Sequence, residues 1–156
     1  MSSFGIGRAK TWCLQKLKNK GMKEEDLVEA YKTLIRPTAE YASPVWGPMI
    51  TAKQSEYLER QQTQALRNIY GQAISAKKMR DKANLPLLSP RRRAACLSFA
   101  TRNLSNPRCC DWFVERPEPK YARRAGMLYR KYEECTARTE RIFNSPVNNM
   151  IRLLNA

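Results

Sequence analysis

The stretch from Leu27 to Gly71 constrains the fold of this chain most strongly, because it holds two helical patterns separated by a proline-rich corner. The first pattern repeats apolar residues three to four positions apart and stops at Pro37, which has no backbone N–H for a helix. The second begins at Thr51, with Gln54 at the partner position of a capping box. Gly71 stands where a left-handed helix cap is favoured. The segment therefore predicts two helices joined by a compact corner.

The same periodicity selects the side chains that we expect in the core. They are the inward positions of the two helices and the aromatic residues of the corner, which we interpret as buried anchors. The alternative for these aromatics is a platform on which nucleic-acid bases stack. The expected core residues are Tyr31, Leu34, Tyr41, Trp46, Leu58, Leu66 and Ile69.

Helical patterns also precede this stretch. A first helix is predicted from Arg8 to Lys20, with Gly21 ending it, and a second from Glu24 to Arg36. The inward side chains expected on the first helix are Ala9, Trp12, Cys13 and Leu17.

Further helices are predicted after Gly71. Ser75 opens a short one with Met79 and Ala83 inward, and the pair Ser89-Pro90 opens a longer one. Two more are expected near residues 121–141 and 147–154. On the helix that begins at Ser89-Pro90, the expected inward residues are Ala95, Cys96, Phe99 and Leu104. On the helix near residues 121–141 they are Met127, Leu128, Tyr132 and Cys135.

The sequence as a whole predicts an all-α fold, a compact bundle of about five to seven helices. Residues 1–106 are expected to form the bundle, residues 107–120 a proline-rich linker or lid, and residues 121–156 a basic helical segment packing on or near the bundle. No apolar run is long enough to cross a bilayer, and the N-terminus lacks the apolar region of a signal peptide. We expect an intracellular protein, nuclear or cytoplasmic, without a membrane partner.

Positive charge dominates the composition. The chain has 29 basic and 14 acidic residues, a net charge of +15. Residues 1–78 carry 13 basic and 7 acidic side chains, or +6, and the remainder 16 and 7, or +9. The charge is spread along the chain, and such a surface attracts phosphates. Acidic membranes attract basic proteins too, and many small basic proteins are merely soluble.

Clusters of these basic residues are the candidate nucleic-acid contacts. Arg91, Arg92 and Arg93 open a helix, where their charges oppose the helix dipole. We expect one of the three to pair with Glu40, Glu56 or Glu59, and the other two to be available. For the lysines at the end of the first helix, the alternative is a solvated face. The full candidate set is Lys16, Lys18, Lys20, Arg67, Arg91, Arg92, Arg93, Arg123 and Arg124.

Several classes of enzyme are excluded by composition. The chain has no histidine, so a triad built on an imidazole base is impossible. Its five cysteines include no C-x-x-C pair, which argues against a disulfide framework and a zinc knuckle. Asp26, Asp81 and Asp111 are its three aspartates, and none neighbours another. We expect no catalytic residue, no metal site and no cofactor.

Nine short pieces follow one another in order: Tyr31, Ile35-Arg36-Pro37, Glu40-Tyr41-Ala42, Pro44-Val45-Trp46, Leu58-Glu59, Gln62, Ala65-Leu66-Arg67 with Ile69 and Gly71, Leu85 with Leu88, and Arg91-Arg92. This order resembles the thumb and adjoining C-terminal region of reverse transcriptases from non-LTR (LINE-type) retrotransposons. The resemblance covers about residues 8–106 well and 129–156 loosely.

The resemblance implies a fragment of an RNA-directed DNA polymerase that binds RNA or an RNA–DNA duplex non-specifically through phosphates. It also implies that the palm and fingers are missing here, because polymerases hold two metal ions on paired palm carboxylates. Those missing parts would be a further partner. We therefore expect a nucleic-acid-binding module that does not polymerise alone. The alternative is a basic helical interaction or assembly module that meets an acidic protein.

Overall fold

A computed structural model describes residues 4–117, 131–136 and 138–156, with side chains from residue 11 onward. Regular structure in these residues is helical, apart from one isolated antiparallel bridge between Glu115 and Tyr132. The predicted all-α class is confirmed. The α-helices are α1 (Phe4–Asn19), α2 (Glu24–Ala30), α3 (Arg36–Glu40), α4 (Ser43–Trp46), α5 (Ala52–Tyr70), α6 (Ala76–Ala83), α7 (Leu88–Asn103), α8 (Glu140–Phe143) and α9 (Pro146–Leu154).

The chain divides into two compact units. Unit 1 comprises Met1–Tyr41 and Thr51–Arg91, and unit 2 comprises Ala42–Ile50 and Arg92–Ala156. The boundary expected near residue 106 lies within unit 2. The corner that contains α4 belongs to unit 2 because it contacts α9, more than 90 residues further along the chain.

A π-helical turn, Tyr31–Ile35, joins α2 to α3, so the helix does not stop at Pro37 as the sequence predicted. The N–H of Arg36 donates to the carbonyl of Tyr31, five residues back. Pro37 then occupies the first turn of α3, where a missing N–H costs nothing. The wider π turn resets the hydrogen-bond register and lets the chain continue as a helix past the proline.

The predicted ends of α5 are confirmed. The hydroxyl of Thr51 accepts from the N–H of Gln54 at 3.2 Å, and the side-chain carbonyl of Gln54 accepts from the N–H of Thr51 at 2.8 Å. Gly71 follows the helix with a φ of 87°, in the left-handed region that favours glycine. The short helix predicted after Ser75 is also present as α6, with Met79 and Ala83 buried.

The core of unit 1 contains several of the expected residues. Tyr31, Leu66 and Ile69 are buried, and Leu58 is half-buried. Tyr31, Leu66 and Ile69 share one apolar cluster with further residues of α1, α2, α5, α6 and the segment after α6: Leu14, Leu27, Val28, Ala65, Met79, Ala83 and Leu85.

Two of the expected core residues are exposed instead. Leu34 is 65% exposed and Tyr41 is 81% exposed. Leu34 lies in the π turn, whose extra residue rotates later side chains away from the face that a 3.6-residue period predicts. Tyr41 leaves α3 with an extended ψ of 130°, immediately before Ala42 at a positive φ of 51°. Trp46, expected to be a buried anchor, is half-buried within unit 2.

The buried face of α1 also differs from the prediction. Thr11 and Leu14 are buried, whereas Trp12 is 61% exposed and Cys13 is exposed. Neighbouring positions on a helix point about 100° apart, so a shift of one residue in the buried stripe turns Trp12 and Cys13 away from the core. The packing partner of α1, helix α5, decides which face is buried.

Unit 2 has a second apolar cluster, which includes the expected Cys96 and Tyr132. Phe113 packs edge-on against Tyr132, with ring centroids 6.3 Å apart. The helix predicted at residues 147–154 is confirmed as α9. The further members of the cluster's buried set are Ala100, Met150 and Ile151.

The helix predicted over residues 121–141 is wrong for residues 131–136, which are not helical, and residues 121–130 lie outside the described residues. Two asparagine side chains of unit 2 bind this backbone instead. Asn155 bonds both the N–H and the carbonyl of Tyr132, each at 2.9 Å. Asn148 does the same at Cys135, at 2.9 and 3.3 Å. Cys135, expected inward, is exposed as a result.

Candidate nucleic-acid interface

A polar groove between α1 and α5 brings basic and amide side chains of unit 1 together. Its volume is about 620 Å³, and α5 supplies most of its lining. We call it the α1–α5 groove, and its lining residues are Thr11, Arg60, Gln61, Thr63, Gln64 and Arg67.

Two hydrogen bonds between α1 and α5 hold the walls of this groove in place. The side-chain amide of Asn68 donates to the carbonyl of Thr11 at 3.0 Å. The ammonium of Lys18 donates to the carbonyl of Ile69 at 2.7 Å. Because both bonds use backbone carbonyls, they set the relative position of the two helix axes.

The spacing of Arg60 and Arg67 places both guanidinium groups on the same face of α5. Residues seven apart are separated by about two helical turns and project in nearly the same direction. Gln64 lies between them on that face, and its amide donates to Asn68 at 3.1 Å. The two guanidinium groups are thus about 10 Å apart along the helix axis, with amide groups between them.

Arg60 forms an exposed ion pair with a carboxylate one turn away on α5. Its guanidinium lies 2.7 Å from Glu56, and the two side chains are 72% and 61% exposed. Ion pairs this exposed contribute little to stability, about 0–1 kcal/mol. Arg67 is exposed on the same face. Guanidinium groups suit phosphate oxygens because their planar forks donate two parallel hydrogen bonds.

The three candidate lysines of the first helix and its end have different roles. Lys16 is exposed, and its ammonium lies 4.9 Å from the centroid of the Trp12 ring. Lys20 is also exposed. Lys18 is half-buried and engaged with the carbonyl of Ile69, so its main role is structural.

The three consecutive arginines divide differently from the expectation. Arg91 binds both carboxylate oxygens of Glu40, at 2.6 and 3.1 Å, as expected for one of them. This hydrogen bond raises the pKa of Arg91 above its ordinary value. Arg92 is buried, with its guanidinium 5.9 Å from the centroid of the Trp46 ring. Arg93 alone of the three is exposed, so one arginine is available where two were expected.

Helical geometry explains this division. The side chains of three successive helical residues point in directions that span about 200°. The three arginines therefore cannot share one environment. Arg123 and Arg124, the last candidates, lie outside the described residues.

Among the predicted binding residues that the structure describes, Arg67 alone lines the α1–α5 groove. Sequence reasoning missed Arg60, Gln61 and Gln64. The signal that could have found them is the seven-residue interval between Arg60 and Arg67 inside a helix whose other face was already assigned to the core.

Two further structural observations concern the described part of the chain. Within it, no group of three or more histidine, cysteine, aspartate or glutamate side chains lies close enough to hold a metal ion. No described helix is long and apolar enough to cross a membrane.

Comparisons with known proteins give no relative for this chain. No protein-family model, no curated protein and no solved structure matches it.

Proposed function

We propose that this chain is a nucleic-acid-binding helical module, equivalent to the thumb and C-terminal region of a non-LTR retrotransposon reverse transcriptase. It binds the phosphate backbone non-specifically, through the α1–α5 groove. The observation that carries the proposal is the pair of exposed arginines, Arg60 and Arg67, on one face of that groove. Phosphate contacts of this kind position a strand or duplex without reading its sequence.

Local charge balance supports this proposal. Unit 1 contains 16 basic and 8 acidic residues, a net charge of +8. Half of those acidic side chains have identified partners within the unit. Glu24 binds Lys82, Glu40 binds Arg91, Glu56 binds Arg60, and Glu59 accepts from backbone N–H groups at the start of α7. Few acidic side chains of unit 1 are therefore left to neutralise its excess of basic side chains.

Pieces of the sequence pattern that suggested a thumb region meet in unit 1. The hydroxyl of Tyr31 donates to the side-chain carbonyl of Gln62 at 3.4 Å. Glu40 pairs with Arg91, and Glu59 binds the N–H of Leu88. Residues 29 to 51 positions apart in the chain thus contact one another, as expected if the pattern marks a single folded module.

The salt dependence of binding tests the proposal. We expect the wild-type chain to bind RNA, with log affinity falling steeply between about 50 and about 200 mM salt as counterions are released. The double variant Arg60→Gln/Arg67→Gln should flatten that slope by up to about two units, one for each lost phosphate contact. Fluorescence anisotropy with labelled RNA of several sequences measures both quantities.

Lys77→Gln/Lys78→Gln is the matched control. It removes the same charge from exposed positions of unit 1 that do not line the groove. An equal loss in the control and groove variants would contradict a localised interface. A wild-type chain that fails to bind RNA at low salt, or whose affinity hardly changes with salt, would overturn the proposal and favour an acidic protein partner.

A further inference from the structure

Trp12 is a large aromatic residue that the core of unit 1 does not use. It lies on α1 and is 61% exposed, although its neighbours Thr11 and Leu14 are buried. An exposed indole contributes little to folding, because most of its apolar surface stays in contact with water. The surface of this indole is therefore accessible to a ligand.

The location of Trp12 connects it to the α1–α5 groove. It directly follows Thr11, which lines the groove, and successive Cα atoms are about 3.8 Å apart. The indole itself does not line the groove, so a strand bound there would have to continue past Thr11 to reach it.

A cation sits on one face of the Trp12 ring. The ammonium of Lys16, one turn further along α1, lies 4.9 Å from the ring centroid. With 61% of the residue exposed, the ring offers further surface to a ligand. Lys16 also adds a positive charge next to any phosphate that accompanies a base on this ring.

An exposed aromatic ring beside a cationic groove suits unpaired nucleotides. Every base has a π-face that stacks on an aromatic side chain, so such contacts tolerate any sequence. In a duplex the base faces are covered by their neighbours in the stack, and an indole reaches them only after unstacking. The chemistry of the Trp12 surface thus distinguishes single strands from duplexes.

We propose that the α1–α5 groove binds single-stranded nucleic acid, with a base stacked on Trp12 and adjoining phosphates held by Arg60 and Arg67. This inference rests on the proposed function, because it assigns the form of nucleic acid that the same groove takes. It narrows the expected ligand, which is RNA or an RNA–DNA duplex, to a single strand.

The test compares an unstructured RNA strand of about 12 nucleotides with a blunt duplex of the same length. Trp12→Leu should weaken binding of the single strand by about 5- to 140-fold, the range for loss of one stacked base. Its salt slope should equal that of the wild type, because no phosphate contact is removed. Binding of the duplex should change little, and Trp12→Phe should restore most of the affinity for the single strand.

Trp112→Leu is the control, because it removes another exposed indole, in unit 2. It should leave single-strand affinity unchanged, and thermal unfolding should show that the Trp12 variants fold as the wild type does. An unaltered single-strand affinity in Trp12→Leu, or equal losses for strand and duplex, would overturn the inference. In that case the salt slopes of the arginine variants would still show whether the groove binds phosphates. The proposed function could therefore stand even if the role of Trp12 did not. A wild-type chain that binds neither ligand overturns both.

Discussion

At the residue scale, Gln62 links three segments of unit 1. It is buried, its side-chain carbonyl accepts from the hydroxyl of Tyr31 at 3.4 Å, and its amide donates to the carbonyl of Pro86 at 3.0 Å. This polar residue lies on the buried side of α5, together with Ala65, Leu66 and Ile69. Burial removes the amide of Gln62 from water, and its two partners replace the hydrogen bonds that water would make.

We expect Gln62→Leu to lower the free energy of unfolding by about 1–3 kcal/mol, because the Tyr31 hydroxyl and the Pro86 carbonyl lose their partner while the site stays buried. Urea unfolding followed by circular dichroism measures this change. Gln64→Leu, at an exposed position of the same helix, serves as the control and should change stability by less than about 0.5 kcal/mol. Equal effects from the two variants would show that the Gln62 bonds add no stability.

Because the phenol of Tyr31 is buried, we expect the fold to lose stability at alkaline pH. Burial raises the pKa of its phenol far above the ordinary value, and Glu40 and Glu59 raise it further against the opposing effect of Arg36. In the unfolded chain the phenol loses its proton near pH 10 (about the reference value), whereas the folded chain retains it. Its contribution to stability is therefore complete below about pH 10 and declines as the pH rises above that value.

Urea midpoints of the wild type and Tyr31→Phe, measured between about pH 9 and about pH 11, test this sign. The midpoint of the wild type should fall more steeply over that interval than that of the variant. Parallel curves would mean that the phenol does not couple folding to proton release.

At the element scale, α5 controls the start of α7. The carboxylate of Glu59 accepts from the N–H groups of Leu88 and Ser89, at 3.1 and 2.8 Å. These N–H groups are at the positive end of the α7 dipole and have no partner within the helix. Glu59 thereby supplies a negative charge that offsets the unfavourable effect of the arginines on the α7 dipole.

Glu59→Ala should destabilise the fold by about 0.5–2 kcal/mol, the usual cost of losing a helix cap. The matched change Glu56→Ala removes a carboxylate from the same helix that pairs with Arg60 at an exposed position, and it should cost less than about 1 kcal/mol. Thermal and urea unfolding measure both. Equal stability losses would contradict a capping role for Glu59.

At the scale of the whole molecule, we expect the purified 156-residue chain to extend no primer. Its three aspartates are dispersed, whereas two-metal phosphoryl transfer requires carboxylates that hold both ions. The assay supplies template–primer, deoxynucleotides and magnesium or manganese, with a mock purification beside it. Reproducible extension by the protein and not by the mock would contradict the reading of this chain as a binding module.

Sequence reasoning succeeded where structure depends on residues a few positions apart. The capping box of Thr51 and Gln54, the left-handed Gly71 and the helix after Ser75 were all predicted, because each involves bonds or dihedral angles within one helical turn. The all-α class followed from summing such signals along the chain.

Sequence reasoning failed where a distant segment decides the outcome. Residues 131–136 are not helical, and Asn148 and Asn155 bind their backbone, although nothing in the local sequence pattern indicates those partners. Similarly, the π turn reversed the expected burial of Leu34 by changing the period on which the assignment depended.

The sequence by itself determined both ends of α5, the starts of α2 and α6 and the position of α9, and it showed that basic residues outnumber acidic ones in both halves of the chain. Tertiary structure decided which of those basic residues are available. It engaged Lys18 and Arg91, buried Arg92, exposed Trp12, and brought Thr11 beside Arg60 and Arg67. The physical reason is that helix periodicity defines a set of faces, whereas the choice of buried face depends on contacts between residues 50 or more positions apart.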